Sequence, residues 1–307
     1  MSAPPEPSAP AVRRGPSAYW ERRQAKLAPV LFLAPALIAF TLYVILPILQ
    51  SLWISLHDFD GLGPMRFVGL ENYRELFRDR VFTLALANNA RWLALFLLAP
   101  PLGLSLALLL NQRLRGLRLV KALFFFPFVL SQVVVGLVFS WFYDPNFGLL
   151  AKAFGAFGLT GVSLLSDGRT ATYAIIAAGL WPQIAYCMIL YLTGLSNLNA
   201  EQIEAARIDG CRGFKLLWHI ILPQLRPASF MAIVVTVIGA LRSFDLVAIM
   251  TNGGPYDQSS VLAYFMFEQS IFAYRMGYGA AIATVLFLLM DVFIAFFLYS
   301  MIRREQE

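Results

Sequence analysis

Histidine, cysteine and charged residues are scarce in this chain of 307 residues. It has two histidines and two cysteines, and 14% of its residues are charged, whereas about 25% are charged in a soluble globular domain. Cys187 lies in an apolar run and Cys211 in a polar stretch, a spacing that fits neither a disulfide framework nor a metal site. Because so few metal-binding and proton-transfer side chains are present, the composition argues against an enzyme.

Long apolar runs are what the chain has in abundance. Hydrophobic residues make up 59% of it, and its mean hydropathy is +0.67. Residues 1–25 are rich in Pro, Ser, Ala and Arg, which predicts a disordered tail. The remainder, 26–307, is predicted to be an all-α membrane domain, because it contains six runs of membrane length. The predicted spans are about 29–56, 85–110, 119–143, 171–195, 227–250 and 278–302.

Lysine and arginine are distributed unevenly among the connections between these spans. Fifteen fall in the N-terminal tail, the second and fourth connections and the C-terminal end, and seven fall in the other three connections. Positive residues accumulate on the cytoplasmic side of a membrane. The pattern therefore predicts that both termini are cytoplasmic, and it explains the net charge of +6 without a nucleic-acid partner.

The polar stretch 200–222 lies between the fourth and fifth spans, on the predicted cytoplasmic side. It contains Glu204-Ala205-Ala206, then Gly210 six positions after the glutamate, and it is followed by Pro223. Glycine supplies the backbone freedom for a sharp turn and proline ends a helix, so the stretch predicts two short helices joined at Gly210. Taken alone, such a stretch is also typical of an amphipathic helix resting on the membrane surface.

This spacing resembles the EAA loop of the permease subunits of binding-protein-dependent ABC importers. Two further motifs resemble the carbohydrate branch of that family: Phe67-Val68-Gly69-Leu70-Glu71-Asn72-Tyr73 and Thr251-Asn252-Gly253-Gly254-Pro255. The resemblance to the maltose, lactose and glycerol-phosphate permeases covers nearly the whole chain after its N-terminal tail. It implies a type I ABC importer permease fold in the bacterial inner membrane, with the 200–222 loop serving as the coupling helix.

The resemblance also implies partners. They are a second homologous permease subunit, a dimer of ATPase subunits that holds ATP and Mg, an extracytoplasmic solute-binding protein, a small carbohydrate substrate and the membrane lipid. No cofactor is expected in this chain, which has no phosphate-binding Walker A pattern. Glu204 is expected to orient the loop by capping or pairing. The residues implied in ATPase coupling are Glu204, Ala205, Ala206, Asp209, Gly210 and Pro223.

Two helical faces in the fourth and fifth spans are candidates for the substrate path. They consist of Gly179, Trp181, Pro182, Gln183 and Tyr186, and of Thr236, Gly239, Ala240 and Ser243. Spacing alone favours a close helix contact for the second face, whereas the amide and the aromatic groups of the first can bind sugars. Both faces match sugar-contacting positions of the maltose permease. Gly239 and Ala240 are small where that protein has an aromatic residue and an amide.

Charged residues inside the spans have a structural and a functional interpretation. Arg242 and Asp245 are three positions apart on one predicted helix, so an ion pair between them is the preferred expectation. The alternative is that Arg242 contacts an anionic substrate. Asp291 is isolated in the last span, where a partner helix could satisfy it.

An ion-gradient-driven secondary transporter is the alternative function from another class. It predicts inverted repeats and membrane carboxylates along a path. Pro182 and Asp291 give it thin support, and it leaves the polar stretch 200–222 unexplained. A membrane enzyme is more distant, because no set of a nucleophile and a base is visible.

Overall fold

The computed structural model describes residues 17–112, 116–158 and 161–305, and it divides into two units, Met1–Ser51 and Leu52–Glu307. In the first unit, α1 (Ser17–Phe40) is followed by a π-helical turn (Thr41–Ile45). Residues 17–25, which were expected in a disordered tail, are therefore helical. The reason lies in the strong helix formers of this segment, which follow Pro16 directly. The rest of the tail, 1–16, lies outside the described residues.

The described residues of the second unit are almost entirely helical, with one two-stranded sheet. In the sheet, β1 (His57–Asp58) pairs antiparallel with β2 (Arg66–Phe67). The helices that open it are α2 (Leu46–Ile54), which begins in the first unit, α3 (Glu71–Leu76), α4 (Arg80–Phe96), α5 (Ala99–Leu110), α6 (Leu117–Val129), α7 (Gln132–Phe142) and α8 (Leu149–Ala156). Those that follow are α9 (Ala171–Ser196), α10 (Ala200–Ile208), α11 (Gly213–Leu216), α12 (Leu222–Gln224), α13 (Arg226–Leu241), α14 (Asp245–Met250), α15 (Leu262–Phe267) and α16 (Met276–Glu305).

Within the described residues, four helices are long and apolar enough to cross a membrane. They are Pro29–Ile54, Arg80–Leu110, Ala171–Ser196 and Met276–Phe297. The number rises to six if each of two bent helix pairs is one span. The first pair, α6 and α7, bends by 98°, and the second, Gly213–Gln224 and α13, bends by 73°. The third predicted span is therefore sharply bent. The region of the fifth predicted span, 227–250, contains two helices, because α13 ends at Leu241 and α14 begins at Asp245.

The motif around Asn72 holds the small sheet against α3. The buried side-chain amide of Asn72 donates hydrogen bonds to the carbonyl oxygens of Ser55 and His57, at 2.8 and 2.9 Å. The Tyr73 hydroxyl lies 2.7 Å from the Ser55 hydroxyl. These contacts satisfy backbone and hydroxyl groups at the end of α2, which is the structural reason for an Asn-Tyr pair at this position.

Helix α9 lies at the centre of the packing. It runs beside α5 so closely that a Cβ atom at Gly103 would lie 2.6 Å from Cβ of Cys187, so only glycine fits there. Buried apolar residues surround this contact on α5, α9 and α13. A second cluster, which includes Trp92, Phe96 and Ile175, packs α4, α7, α9 and α14 together and forms one wall of the cavity described next.

Candidate functional site

A cavity of about 350 Å³ opens where α4, α7, α9, α13 and α14 meet. Its volume is within the range of small-molecule sites. Aromatic rings and polar side chains share its surface. The lining residues are Trp92, Phe96, Gln132, Gly179, Gln183, Val235, Ile238, Gly239, Arg242, Ser243, Phe244, Asp245 and Leu246.

A break between two helices forms one side of this cavity. The chain leaves α13 after Leu241 and enters α14 at Asp245. Arg242 and Asp245 therefore lie at the ends of two different helices, and both are exposed in the chain. No ion pair joins them among the described residues, whose ion pairs are all found elsewhere. The expected Arg242–Asp245 pair is thus wrong, because the continuous helix that it required is absent.

Hydrogen bonds stabilise the backbone at the break. The hydroxyl of Ser243 donates to the carbonyl oxygen of Ala240 at 2.9 Å. The side-chain amide of Asn89 donates to the carbonyl oxygen of Leu241 at 3.3 Å. A helix end leaves such carbonyls without partners inside the helix. The carbonyl groups at the end of α13 therefore have hydrogen-bond partners, and the two charged side chains lie on either side of the break.

The opposite wall is formed by α9 and α13. Gln183 Nε2 donates a hydrogen bond to Thr236 Oγ1 at 2.9 Å, and the Cys187 sulfur lies 3.5 Å from the same hydroxyl. Thr236 is fully buried and does not line the cavity, whereas Gln183 does. A Cβ atom at Gly239 would have the Gln183 side-chain oxygen as its neighbour, at 3.6 Å, so open space lies over Gly239.

The structure brings together only part of the predicted substrate face. Gly179, Gln183, Gly239, Arg242 and Ser243 line the cavity. The other predicted residues do not line it: Pro182, Thr236 and Ala240 are buried in the packing around it, Tyr186 is half-buried and Trp181 is exposed.

Aromatic packing explains why two of these side chains are not at the cavity. The Tyr186 ring is stacked on Phe128 of α6, with ring centroids 4.6 Å apart. The Trp181 ring meets the ring of Phe139 on α7 edge-on, at 5.7 Å. Tyr186 is therefore held against α6, and Trp181 contacts α7 while remaining exposed.

Several lining residues were missed because they come from other helices. Trp92 and Phe96 lie on α4, and Gln132 is the first residue of α7. A glutamine inside an otherwise apolar run was a visible signal, since polar side chains in membrane segments usually face protein or water. Asp245 was recognised in the sequence only as a partner for Arg242.

The polar loop contains α10, and the cap of this helix is Asn199. The side-chain oxygen of Asn199 accepts hydrogen bonds from the backbone nitrogens of Glu201 and Gln202, at 2.9 and 3.2 Å. Glu204 is exposed, and it makes no hydrogen bond or ion pair within the described part of the chain. The capping expected of Glu204 therefore belongs to Asn199, which stands at the helix N-terminus where an acceptor is needed.

Gly210 ends α10 in a left-handed turn. Its φ is +82°, and the backbone nitrogen of Cys211 donates to the carbonyl oxygen of Ala206 at 2.9 Å. This is the arrangement of a Schellman C-cap, in which glycine is favoured. Asp209 precedes the glycine as the last residue of the cap. The two short helices are thus joined at Gly210, where the sequence placed the turn.

Large apolar side chains are exposed on this otherwise polar loop. Ile208 is 86% exposed and Phe214 is 72% exposed, and the Phe214 ring is stacked on the ring of the exposed Trp218 at 5.8 Å. Ala205 is exposed as well, and Ala206 is buried. Pro223 is exposed in α12. Contiguous exposed apolar groups on a loop are typical of a docking surface.

The family of the chain follows from comparison with known sequences. Residues 99–306 match the model of the binding-protein-dependent transport system inner membrane component. The chain belongs to this family. It is accordingly a permease subunit of an ABC importer and a component of the inner membrane, and it serves in transport rather than in catalysis.

Individual relatives agree with this assignment. A probable ABC transporter permease of Pyrococcus horikoshii is 37% identical over 91% of this chain and 97% of its own length. The alpha-glucoside transport system permease of Rhizobium meliloti is 34% identical, over 86% of this chain and 79% of its own. A chain of the bacterial ABC transporter that imports the acidic polysaccharide alginate has the same fold, with a TM-score of 0.80 at 20% identity, covering 94% of this chain and all of that one.

Proposed function

We propose that the chain forms, together with a second homologous permease subunit, the translocation path for a sugar or glycoside that a solute-binding protein delivers. The observation that carries this proposal is the cavity at the break between α13 and α14. Amides and a hydroxyl from Gln132, Gln183 and Ser243 lie there beside aromatic rings. Hydrogen-bonding groups next to aromatic faces are the combination that binds sugars.

The relatives support the same class of substrate. One of them is named for alpha-glucosides, and the structural neighbour is named for a polysaccharide. An ion-gradient-driven mechanism is less well supported, since transport in this family depends on a binding protein.

In this proposal α6 and α7 together form one span and α13 begins another, which gives six spans with both termini in the cytoplasm. The 200–222 loop is then cytoplasmic and docks on a dimer of ATPase subunits, which holds ATP and Mg. Exposed Ile208, Phe214 and Trp218 supply the apolar contact. Glu204, which has no partner within the described residues, is available to the ATPase. Closure of the ATPase dimer would reach the spans through this loop.

The test is ATP hydrolysis by the complex purified with both permease subunits, the ATPase dimer and the binding protein. A panel of neutral and anionic glycosides is added one by one. Stimulation of ATP hydrolysis by one glycoside supports the proposal of a sugar importer and identifies its substrate. Failure of the chain to co-purify with an ATPase subunit would contradict the coupling role, and stimulation by none of the glycosides would contradict the sugar path.

A further inference from the structure

Two opposite charges lie in one cavity without neutralising each other. Arg242 and Asp245 are the charged residues among those that line it, and they form no ion pair within the described part of the chain. Both side chains are exposed, so each charge remains accessible to water or to a ligand. The local backbone explains why they stay apart.

Phe244, one of the two residues between them, supplies part of that explanation. The ring of Phe244 is stacked on Tyr264, with centroids 6.2 Å apart, and it meets Phe267 edge-on at 5.2 Å. These two aromatic contacts fix the backbone in the middle of the break. Asn89 and Ser243 fix the end of α13 on the other side through their bonds to Leu241 and Ala240. The two charges are thus held at the two ends of a fixed backbone segment.

We infer that Arg242 and Asp245 bind the cargo together and make the site selective for an uncharged, polyhydroxylated sugar. This inference rests on the proposed function of the cavity and specifies the chemistry of its cargo. A guanidinium only donates hydrogen bonds and a carboxylate only accepts them. Sugar hydroxyls do both, so adjacent hydroxyls can donate to Asp245 and accept from Arg242, with charge-assisted bonds on each side.

An anionic sugar gains much less from the same arrangement. Its acidic group would be attracted by Arg242 and repelled by Asp245, and the formal charge of the lining residues sums to zero. It would also lose its hydration on entry. Considered alone, Arg242 favours an anionic glycoside, but Asp245 in the same cavity cancels that preference. The uncharged polar groups of the lining, the amides of Gln132 and Gln183 and the hydroxyl of Ser243, can hydrogen-bond sugar hydroxyls.

The experiment uses the whole complex in lipid nanodiscs, with its binding protein held constant. ATP hydrolysis is measured against the concentration of three neutral glucosides (maltose, trehalose and sucrose) and of maltobionate, an acid counterpart of maltose. Affinity of the binding protein for each compound is measured separately. This separates selection by the binding protein from selection in the permease. The variants are Arg242→Gln and Asp245→Asn, with Arg78→Gln as the matched control, because Arg78 is exposed outside the cavity.

We expect a neutral glucoside to stimulate the wild-type complex more than the acid does. Each cavity variant should raise its half-stimulating concentration about tenfold or more, the effect of losing a charge-assisted hydrogen bond. Asp245→Asn should also increase the response to maltobionate relative to the neutral sugar, and Arg242→Gln should decrease it. Arg78→Gln should change neither the half-stimulating concentration nor the relative response to maltobionate. This opposite effect on the ratio cannot arise from misfolding, and Arg242→Lys and Asp245→Glu should restore part of the response.

Different outcomes would overturn different statements. A wild-type preference for the acid, at equal occupancy of the binding protein, would overturn the inference and leave the sugar path standing. Unchanged half-stimulating concentrations in both cavity variants would do the same. Stimulation by no member of the panel would overturn the sugar path and the inference with it.

Discussion

The side-chain oxygen of Asn89 accepts a hydrogen bond from the backbone nitrogen of Leu262 at 2.8 Å, across 173 residues of sequence. The amide nitrogen of the same side chain donates to the carbonyl oxygen of Leu241. Asn89 is 2% exposed. One buried side chain on α4 therefore joins the end of α13, beside the cavity, to the start of α15.

Replacing Asn89 should destabilise the protein. Asn89→Ala leaves a buried backbone donor at Leu262 and an acceptor at Leu241 without a partner, at a cost of about 1–3 kcal/mol for each such group. The midpoint of thermal unfolding of the purified complex should fall. Asn146→Ala is the matched control, since Asn146 is exposed. Equal midpoints for the two variants would contradict the structural role of Asn89.

Substitutions at Gly239 should separate stability from transport. In Gly239→Ala, the new Cβ atom would lie 3.6 Å from the Gln183 side-chain oxygen, which is an ordinary van der Waals distance. In the interior of a helix this change stabilises by about 0.5–1 kcal/mol. Gly239→Phe directs a large ring into the cavity and should reduce uptake tenfold or more with little effect on folding. The measurements are sugar uptake into proteoliposomes and the unfolding midpoint, and normal uptake by the Phe variant would show that cargo does not pass over Gly239.

The loop variants should separate docking from folding. Gly210→Val forces a β-branched residue into a left-handed conformation, at a cost of about 1–2 kcal/mol, and Asn199→Ala removes a cap worth about 1 kcal/mol. Both should weaken the loop itself. Glu204→Ala should leave its fold unchanged, because Glu204 has no partner in the described chain.

All three variants are expected to lower sugar-stimulated ATP hydrolysis and to leave the affinity of the binding protein for sugar unchanged. Hydrogen exchange of the loop should increase in Gly210→Val and Asn199→Ala alone. Cys211→Ala serves as the neighbouring control. Unchanged sugar-stimulated ATP hydrolysis in Glu204→Ala would show that Glu204 does not take part in the contact with the ATPase.

The pH dependence of stability should include a contribution from Glu268, outside the spans. Burial raises the pKa of its carboxyl group, and the nearby charge of Asp257 raises it further. The folded protein therefore binds this proton more tightly than the unfolded chain does. The penalty for ionising Glu268 in the fold is complete at pH values above its folded-state pKa, and it declines as the pH falls from that value to the lower pKa of the unfolded chain.

Glu268→Gln should consequently unfold at a higher temperature than the wild type at neutral pH, with a difference that shrinks on acidification. Glu204→Gln, at an exposed glutamate, provides the comparison. A difference that grew toward low pH would mean that the sign of the shift is wrong.

The sequence predicted local features of the loop and of the spans more successfully than contacts between helices. The turn at Gly210 follows from the residues next to it in the chain, because a left-handed conformation favours glycine. The break after Leu241 does not, since Asn89 and Phe244 stabilise it through partners far away in sequence. The periodicity of an apolar run continues through such a break, so a continuous helix and an Arg242–Asp245 pair were expected.

The cavity residues show the same limit. Gln183 and Gly239 were recognised from the pattern of single helices, but Tyr186 and Trp181 share those patterns and pack against α6 and α7. Which face of α9 remains open is decided by the positions of its neighbours. That information is not contained in the spacing of residues along one helix.

The close contact of α5 with α9 at Gly103 has a mechanical consequence. A Cβ atom placed on Gly103 would lie 2.6 Å from Cβ of Cys187 and 2.8 Å from the backbone nitrogen of Met188. Because the two helices are this close, they cannot slide or rotate past each other without separating. They are therefore expected to travel as one rigid body. Any motion that turns the cavity from one side of the membrane to the other must then occur between this helix pair and the helices that pack against it.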